Sequence, residues 1–230
     1  MKINKPKRIP PHAAACLKAL SDSGLGKHMS LGGAFGLSHY YEFRTTHDID
    51  AWWNPKTTSK QRKAVVGLIE TCLADYGRTR VRAWGDVVSI DLEVDEQVAF
   101  SFQIALRSAQ LRPSLASPWK TLLLDSFDDL VASKMAALVE RGAPRDFVDI
   151  FNLCKKGFLD PKLAWELWKS RQMLAEGDAD TYRALLAVAT HLQRIELHRP
   201  LDKIPSYRER RAAIALRVWF AKDFLHALMD

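Results

Sequence analysis

Arg44-Thr45-Thr46-His47-Asp48-Ile49-Asp50 is the stretch on which the fold turns. Read as the entry into a strand over 48–53, it points Asp48 and Asp50 to one face and Ile49 to the other, because side chains alternate along a strand. Two carboxylates so placed repel each other, and a divalent cation between them removes the repulsion. The plain alternative is a wet edge strand whose aspartates do nothing. Upstream, a short apolar strand over 29–31 runs into Gly32-Gly33 and the small-residue stretch 34–41, which predicts a helix entered directly from a strand. Backbone N–H groups at such an entry hold phosphate, and a tight structural turn is the competing explanation of the Gly-Gly pair.

Downstream, 60–76 reads as an amphipathic helix with Val65, Leu68, Ile69 and Leu73 on one side. Strands over 81–84 and 87–94 flank the hairpin signal Gly85-Asp86, and 98–106 continues as a third strand. In 87–94, Val88, Ile90, Leu92 and Val94 form an apolar face, leaving Ser89, Asp91 and Glu93 opposite. If that strand neighbours 48–53, Asp91 joins Asp48 and Asp50 on one polar face. Such a set suits two magnesium ions clamping an in-line phosphoryl transfer. Glu93 shares the face and competes for the third place, and a merely hydrated sheet face is the alternative for both.

Pro10-Pro11 open a helix that ends near Ser21. Beyond residue 118 alternation gives way to helical periodicity, with start signals at Ser126/Asp129, Asp160-Pro161 and Ser206/Glu209. The expected architecture is therefore α+β, with an α/β domain over 1–117 and a helical domain over 118–230. In a helix over 127–141, Lys134 falls in the stripe of Phe127, Leu130 and Leu138. It either snorkels to water or reaches across the domain junction to a triphosphate. Asp146 follows Gly142 and Pro144 at a new helix start, where a helix-dipole carboxylate is the plain explanation. Of Trp52 and Trp53 one reads as core, the other as core or a base-stacking surface, and His47 reads as a turn residue. Arg208, Arg210, Arg211, Arg217 and Lys222 make a basic helical cluster, fit either for an RNA backbone or for solvent.

Composition narrows the classes. The 230 residues amount to one large or two small domains, and 47% hydrophobic with 27% charged residues excludes a disordered or collagenous chain. A formal charge of +7 favours a polyanionic partner. Cys16, Cys72 and Cys154 form no CxxC pair and read as reduced thiols of a cytoplasmic protein. The basic start is followed by an apolar stretch broken by Pro10, Pro11, His12 and Lys18, so no export is expected, and no run approaches the ~20 apolar residues of a membrane span.

Two blocks in order, Gly32-Gly33-Ala34 with Arg44, Thr46, Asp48, Ile49 and Asp50, then 128–134 with 145–150, resemble the AbiEii/AbiGii-type (MenT-like) nucleotidyltransferase toxins. The resemblance covers about residues 31–153. It implies a DNA-polymerase-β-like nucleotidyltransferase domain followed by a helical domain, and a transferase of the EC 2.7.7 class. By the same resemblance Asp48, Asp50 and Asp91 bind Mg2+ or Mn2+ and Lys134 contacts the phosphates of an NTP. Asp146 supports it, and Gly32, Gly33, Arg44 and Thr46 line the nucleotide. Gly33 and Ala34 stand where many such enzymes carry a serine, so backbone N–H groups would grip the phosphate. Family members transfer NMP to RNA, notably the 3′ acceptor end of tRNA, as toxins of toxin–antitoxin or abortive-infection systems; a cognate antitoxin is thereby implied. The competing expectations are transfer to a small molecule such as an antibiotic, and a non-catalytic RNA-binding module keeping the fold.

Overall fold

The Gly32-Gly33 and Asp48–Asp50 segments meet in one sheet. In the computed structural model, which describes residues 2–228, α1 (Pro11–Asp22) is followed by β1 (Met29–Leu31), α2 (Gly33–Ser38), β2 (Asp48–Trp53) and α3 (Ser59–Ala74). Then come β3 (Arg78–Trp84), β4 (Val87–Val94), β5 (Gln97–Ala105), β6 (Leu115–Ala116) and β7 (Leu123–Leu124). The strand order is β3-β4-β5-β2-β1-β7-β6, with β2–β5 and β1–β7 parallel and the other pairs antiparallel. The mixed α+β class is as expected, with two strands, β6 and β7, beyond the five expected at 29–31, 48–53, 81–84, 87–94 and 98–106.

Alternation divides the sheet into two unlike faces. Ile49, Trp53, Ile90, Leu92, Phe100, Phe102 and Ile104 are buried on one. There α3 packs on β3 and β4, and α1 packs on α3. The helix α3 starts where Thr58 accepts the Gln61 N–H while the Gln61 side chain accepts the Thr58 N–H, a reciprocal cap. On the other face the registers align Asp48 with Ser101 and Asp50 with Gln103, then Ser101 with Asp91 and Gln103 with Ser89. Arg80 and Arg82 on β3 continue the two rows to the edge of the sheet, opposite Asp91 and Ser89.

The helices α4 (Phe127–Glu140), α5 (Pro144–Lys155), α6 (Pro161–Glu176), α7 (Thr181–His198) and α8 (Tyr207–Trp219) complete the chain. Their caps match the sequence signals: Asp160 accepts from the Lys162 and Leu163 N–H groups, and Ser206 from Glu209 N–H. The chain divides into two compact units, Met1–Leu130 and Val131–Asp230. Residues 118–130 group with the first, whose β7 pairs with β1 through Ser30/Leu123 and Leu31/Leu124. The second unit is centred on an aromatic core of Trp165, Trp168, Trp219, Phe220 and Phe224, in which the Trp165 indole donates to the Phe224 carbonyl at 3.1 Å.

Candidate active site

Along β2 burial alternates residue by residue, so that Asp48, Asp50 and Trp52 are half-buried on the polar face while Ile49, Ala51 and Trp53 are core. This decides between the tryptophans: Trp53 is core, and Trp52 shares a face with the two carboxylates. The glycine turn is shaped around these side chains. Gly33 has φ +56°, and a Cβ there would overlap the Asp50 carboxylate; a Cβ on Gly32 would lie 2.5 Å from Trp52 Nε1. The Gly32 N–H donates to the Asp50 carbonyl at 2.8 Å. Backbone thus stands directly against Asp50, an approach open only to glycine.

Asp91 lies on the same face, but β5 separates its strand from β2. Two strand spacings, about 10 Å, part it from Asp48. Its carboxylate is 1% exposed: Oδ1 accepts the Ser89 and Ser101 hydroxyls, each at 2.7 Å, and Oδ2 accepts Arg82 Nε at 2.9 Å and lies 2.6 Å from its NH2. Burial pushes this carboxyl up, and the bonds from Ser101, Ser89 and Arg82 outweigh burial and hold it below the ordinary carboxylate value. The three aspartates are therefore not brought together. Among the described residues no group of three or more His, Cys, Asp or Glu is arranged to hold a metal ion. Glu93, the competing third carboxylate, lies within 4.0 Å of Arg80 and 3.8 Å of Arg78. The pair Asp48 and Asp50 nevertheless fits Mg2+, which keeps several waters and takes one or two carboxylates plus substrate phosphates. Thr46 is buried just before the strand, Arg44 is half-buried, and His47 is exposed.

Beside the glycine turn stands a buried polar group that the sequence reading did not single out. Arg107 NH2 lies 2.7 Å from Asp125 Oδ1 and 2.5 Å from Ser30 Oγ, and Ser30 Oγ donates to Asp125 at 2.7 Å. Burial raises the Asp125 carboxyl, with Arg107 opposing. The Arg107 guanidinium also lies over the Trp52 ring at 5.8 Å, so this group braces the polar face at β1.

In the second unit Lys134 is 7% exposed. It neither snorkels nor stands alone: Nζ lies 3.1 Å from Asp146 Oδ1 and 3.0 Å from Asp149 Oδ2, both carboxylates fully buried. Arg141 adds Nε to Asp146 Oδ2 at 2.9 Å and NH2 to Oδ1 at 3.2 Å. Burial would raise the Asp146 carboxyl, but the Arg141 bonds and the Lys134 ammonium hold it below its usual value. Asp149 is the member that sequence reasoning missed. Its signal was the spacing of three from Asp146 on a helix opened by Pro144, which sets both on one side. The basic C-terminal cluster is dispersed: Arg208, Arg211 and Lys222 are exposed, Arg210 donates to the Ile204 carbonyl, and Arg217 is buried.

No curated protein matches the chain. A crystal structure of an H. pylori protein described as a nucleotidyltransferase superposes with a TM-score of 0.51 at 16% identity, covering 93% of each chain, which shows a shared fold. The family model of the nucleotidyl transferase AbiEii toxin, type IV toxin–antitoxin system, matches residues 15–215, spanning the aspartate pair of β2, the glycine turn and the Lys134 cluster alike. The match runs over most of the chain, and the chain belongs to the AbiEii nucleotidyl transferase toxin family.

Proposed function

We propose that this nucleotidyltransferase moves a nucleoside monophosphate from an NTP to RNA, with the 3′ acceptor end of tRNA as acceptor, and that Asp48 and Asp50 hold the Mg2+ it requires. The observation that carries the proposal is the placement of both carboxylates on one half-buried face with the Gly33 backbone against Asp50. Asp48 and Asp50 would hold a divalent cation there, which would supply charge stabilisation to the phosphates of an in-line displacement. The chain's own part is positional. Gly32 and Gly33 let the backbone approach the triphosphate, while Arg44 and Thr46 set the entry into β2. Lys134 has three ammonium donors, of which Asp146 and Asp149 take two, and the third serves a phosphate oxygen. Asp91, locked by Ser89, Ser101 and Arg82, fixes the row that contains Asp48. The positive charge of the chain supports an RNA acceptor, and its type IV family implies a cognate antitoxin. No helix among the described residues is long and apolar enough to cross a membrane.

The test is incorporation of each α-labelled NTP into total tRNA with Mg2+, for the native chain and for Asp50→Ala. Labelled tRNA with the native chain, falling to background in the variant, is expected. No incorporation from any NTP by folded protein overturns the RNA reading, and transfer to a small-molecule acceptor alone replaces it.

A further inference from the structure

The helical unit contains a cleft of about 870 Å3 that the proposed chemistry does not use. Its walls come from the start of α5, the end of α7 and the middle of α8. The apolar part of the lining includes Phe147, Phe151, Ile195 and Leu216. Four arginines and one carboxylate, Glu209, also line it. Arg141 is engaged by Asp146, and Arg199 NH2 bonds Glu209 at 2.9 Å. The charge left over is that of Arg194 and Arg217.

Arg217 is the telling residue. It is 8% exposed, and among the described residues its polar contact is NH2 donating to the Arg199 carbonyl at 2.6 Å. No carboxylate among the described residues answers its charge, and burial of a guanidinium without a counter-charge is unfavourable. Arg194, from the facing helix, is exposed at the same cleft. Two guanidinium groups from different helices suit the planar, forked recognition of a phosphate. In the α5 wall, the Asn152 amide nitrogen donates to the Val148 carbonyl at 2.8 Å, which leaves its carbonyl oxygen to meet the exocyclic amine of a base. Enclosure, apolar walls, a surplus of positive charge and one amide together describe a ligand with a phosphate and a flat, polar-edged body.

We propose that this cleft binds one nucleoside monophosphate unit, its phosphate on Arg217 and Arg194 and its base along the apolar wall by Phe151. The unit is either a free nucleotide or one residue of an RNA strand; the site is independent of the catalytic reading and is assayed without it. The experiment measures equilibrium binding of the four mononucleotides and of a labelled single-stranded RNA tetramer to the full chain. It is run in EDTA, so that divalent-dependent binding at Asp48 and Asp50 is silent. Binding that Asp50→Ala leaves unchanged, and that Arg217→Gln and Arg194→Glu each weaken at least tenfold, is expected. Arg194→Glu, at an exposed position, keeps the test valid if Arg217→Gln fails to fold. Tetramer binding at least tenfold tighter than any mononucleotide assigns the site to an RNA strand, with the salt slope reduced by about one in Arg194→Glu; equal affinities assign it to free nucleotides. No binding of either probe, binding unaltered in the Arg194 variant, or occupancy by decanoate but not by nucleotides overturns the proposal.

Discussion

Gly33 and Asp50 interlock: the left-handed glycine fills the space against the carboxylate where any side chain would have to stand. Gly33→Ala must therefore both adopt a strained φ, at a cost of about 2 kcal/mol, and displace the Asp50 carboxylate. Nucleotide incorporation is expected to fall to background while the melting temperature drops by only a few degrees. Paired activity and thermal-melt measurements check this, and an active Gly33→Ala would show that Asp50 need not stay where it is.

Asp91 and Asp50 share a face yet differ in what surrounds them, so their variants should part company. Asp91→Asn weakens the Arg82 bonds and disturbs two buried hydroxyls, with an expected loss of about 2 kcal/mol. Asp50→Ala, at a half-buried position on the same face, is expected to cost less, because relief of its repulsion with Asp48 offsets part of what the carboxylate's contacts contribute. Urea denaturation of the two variants measures the contrast; equal stability would mean that the Asp91 network is not an anchor.

Lys134→Met strips Asp146 and Asp149 of a shared cation in a fully buried setting, and about 3 kcal/mol of stability should go with it. Lys134→Arg is expected to retain most of that stability, because a guanidinium can still serve both carboxylates. Loss of nucleotide transfer in the stable Lys134→Arg protein would assign the lysine a role in phosphate contact beyond holding α4 to α5. Denaturation curves and incorporation assays on the same preparations separate the two effects.

His39 gives the fold a pH dependence of definite sign. Burial pushes its pKa down from 6.5 to about 4, with the Phe35 carbonyl 3.0 Å from Nδ1 opposing only in part. The native state thus prefers the neutral ring. Stability is whole above pH 6.5 and is lost as pH falls toward 4, by about 3 kcal/mol for this shift. The lowered carboxyls of Asp91 and Asp146 add their loss only further down, as pH drops through their own depressed range. Melting temperatures from pH 7 to pH 4 should decline in the native chain and flatten in that interval in His39→Gln.

The elements most legible in the sequence were those with a strict period or a paired end signal. The strand at Asp48–Trp53, the two-residue hairpin at Gly85-Asp86 and the helix start at Asp160-Pro161 stand as read. β3 begins at Arg78 because Arg-Thr-Arg alternates without apolar residues, and only pairing with β4 reveals it as strand. β6 and β7 have two residues each, too short for any period. At the site, the aspartate pair and the glycine turn could be read locally. Arg107 and Asp125 could not, since each acquires meaning from Ser30, 77 or 95 positions away; Asp149 showed its spacing from Asp146 but not its partner Lys134, 15 positions away.

The row of arginines on β3 has a consequence for the life of the protein in a crowded cell. An open sheet invites another strand at its margin, and this one has two margins. One ends in the two-residue β6, too short to template growth. At the other, a second copy of β3 laid antiparallel about Arg80 would set Arg78 against Arg82 and Arg80 against itself, like charge facing like charge. The same residues that tie down Asp91 and Glu93 thereby keep the sheet from polymerising edge to edge.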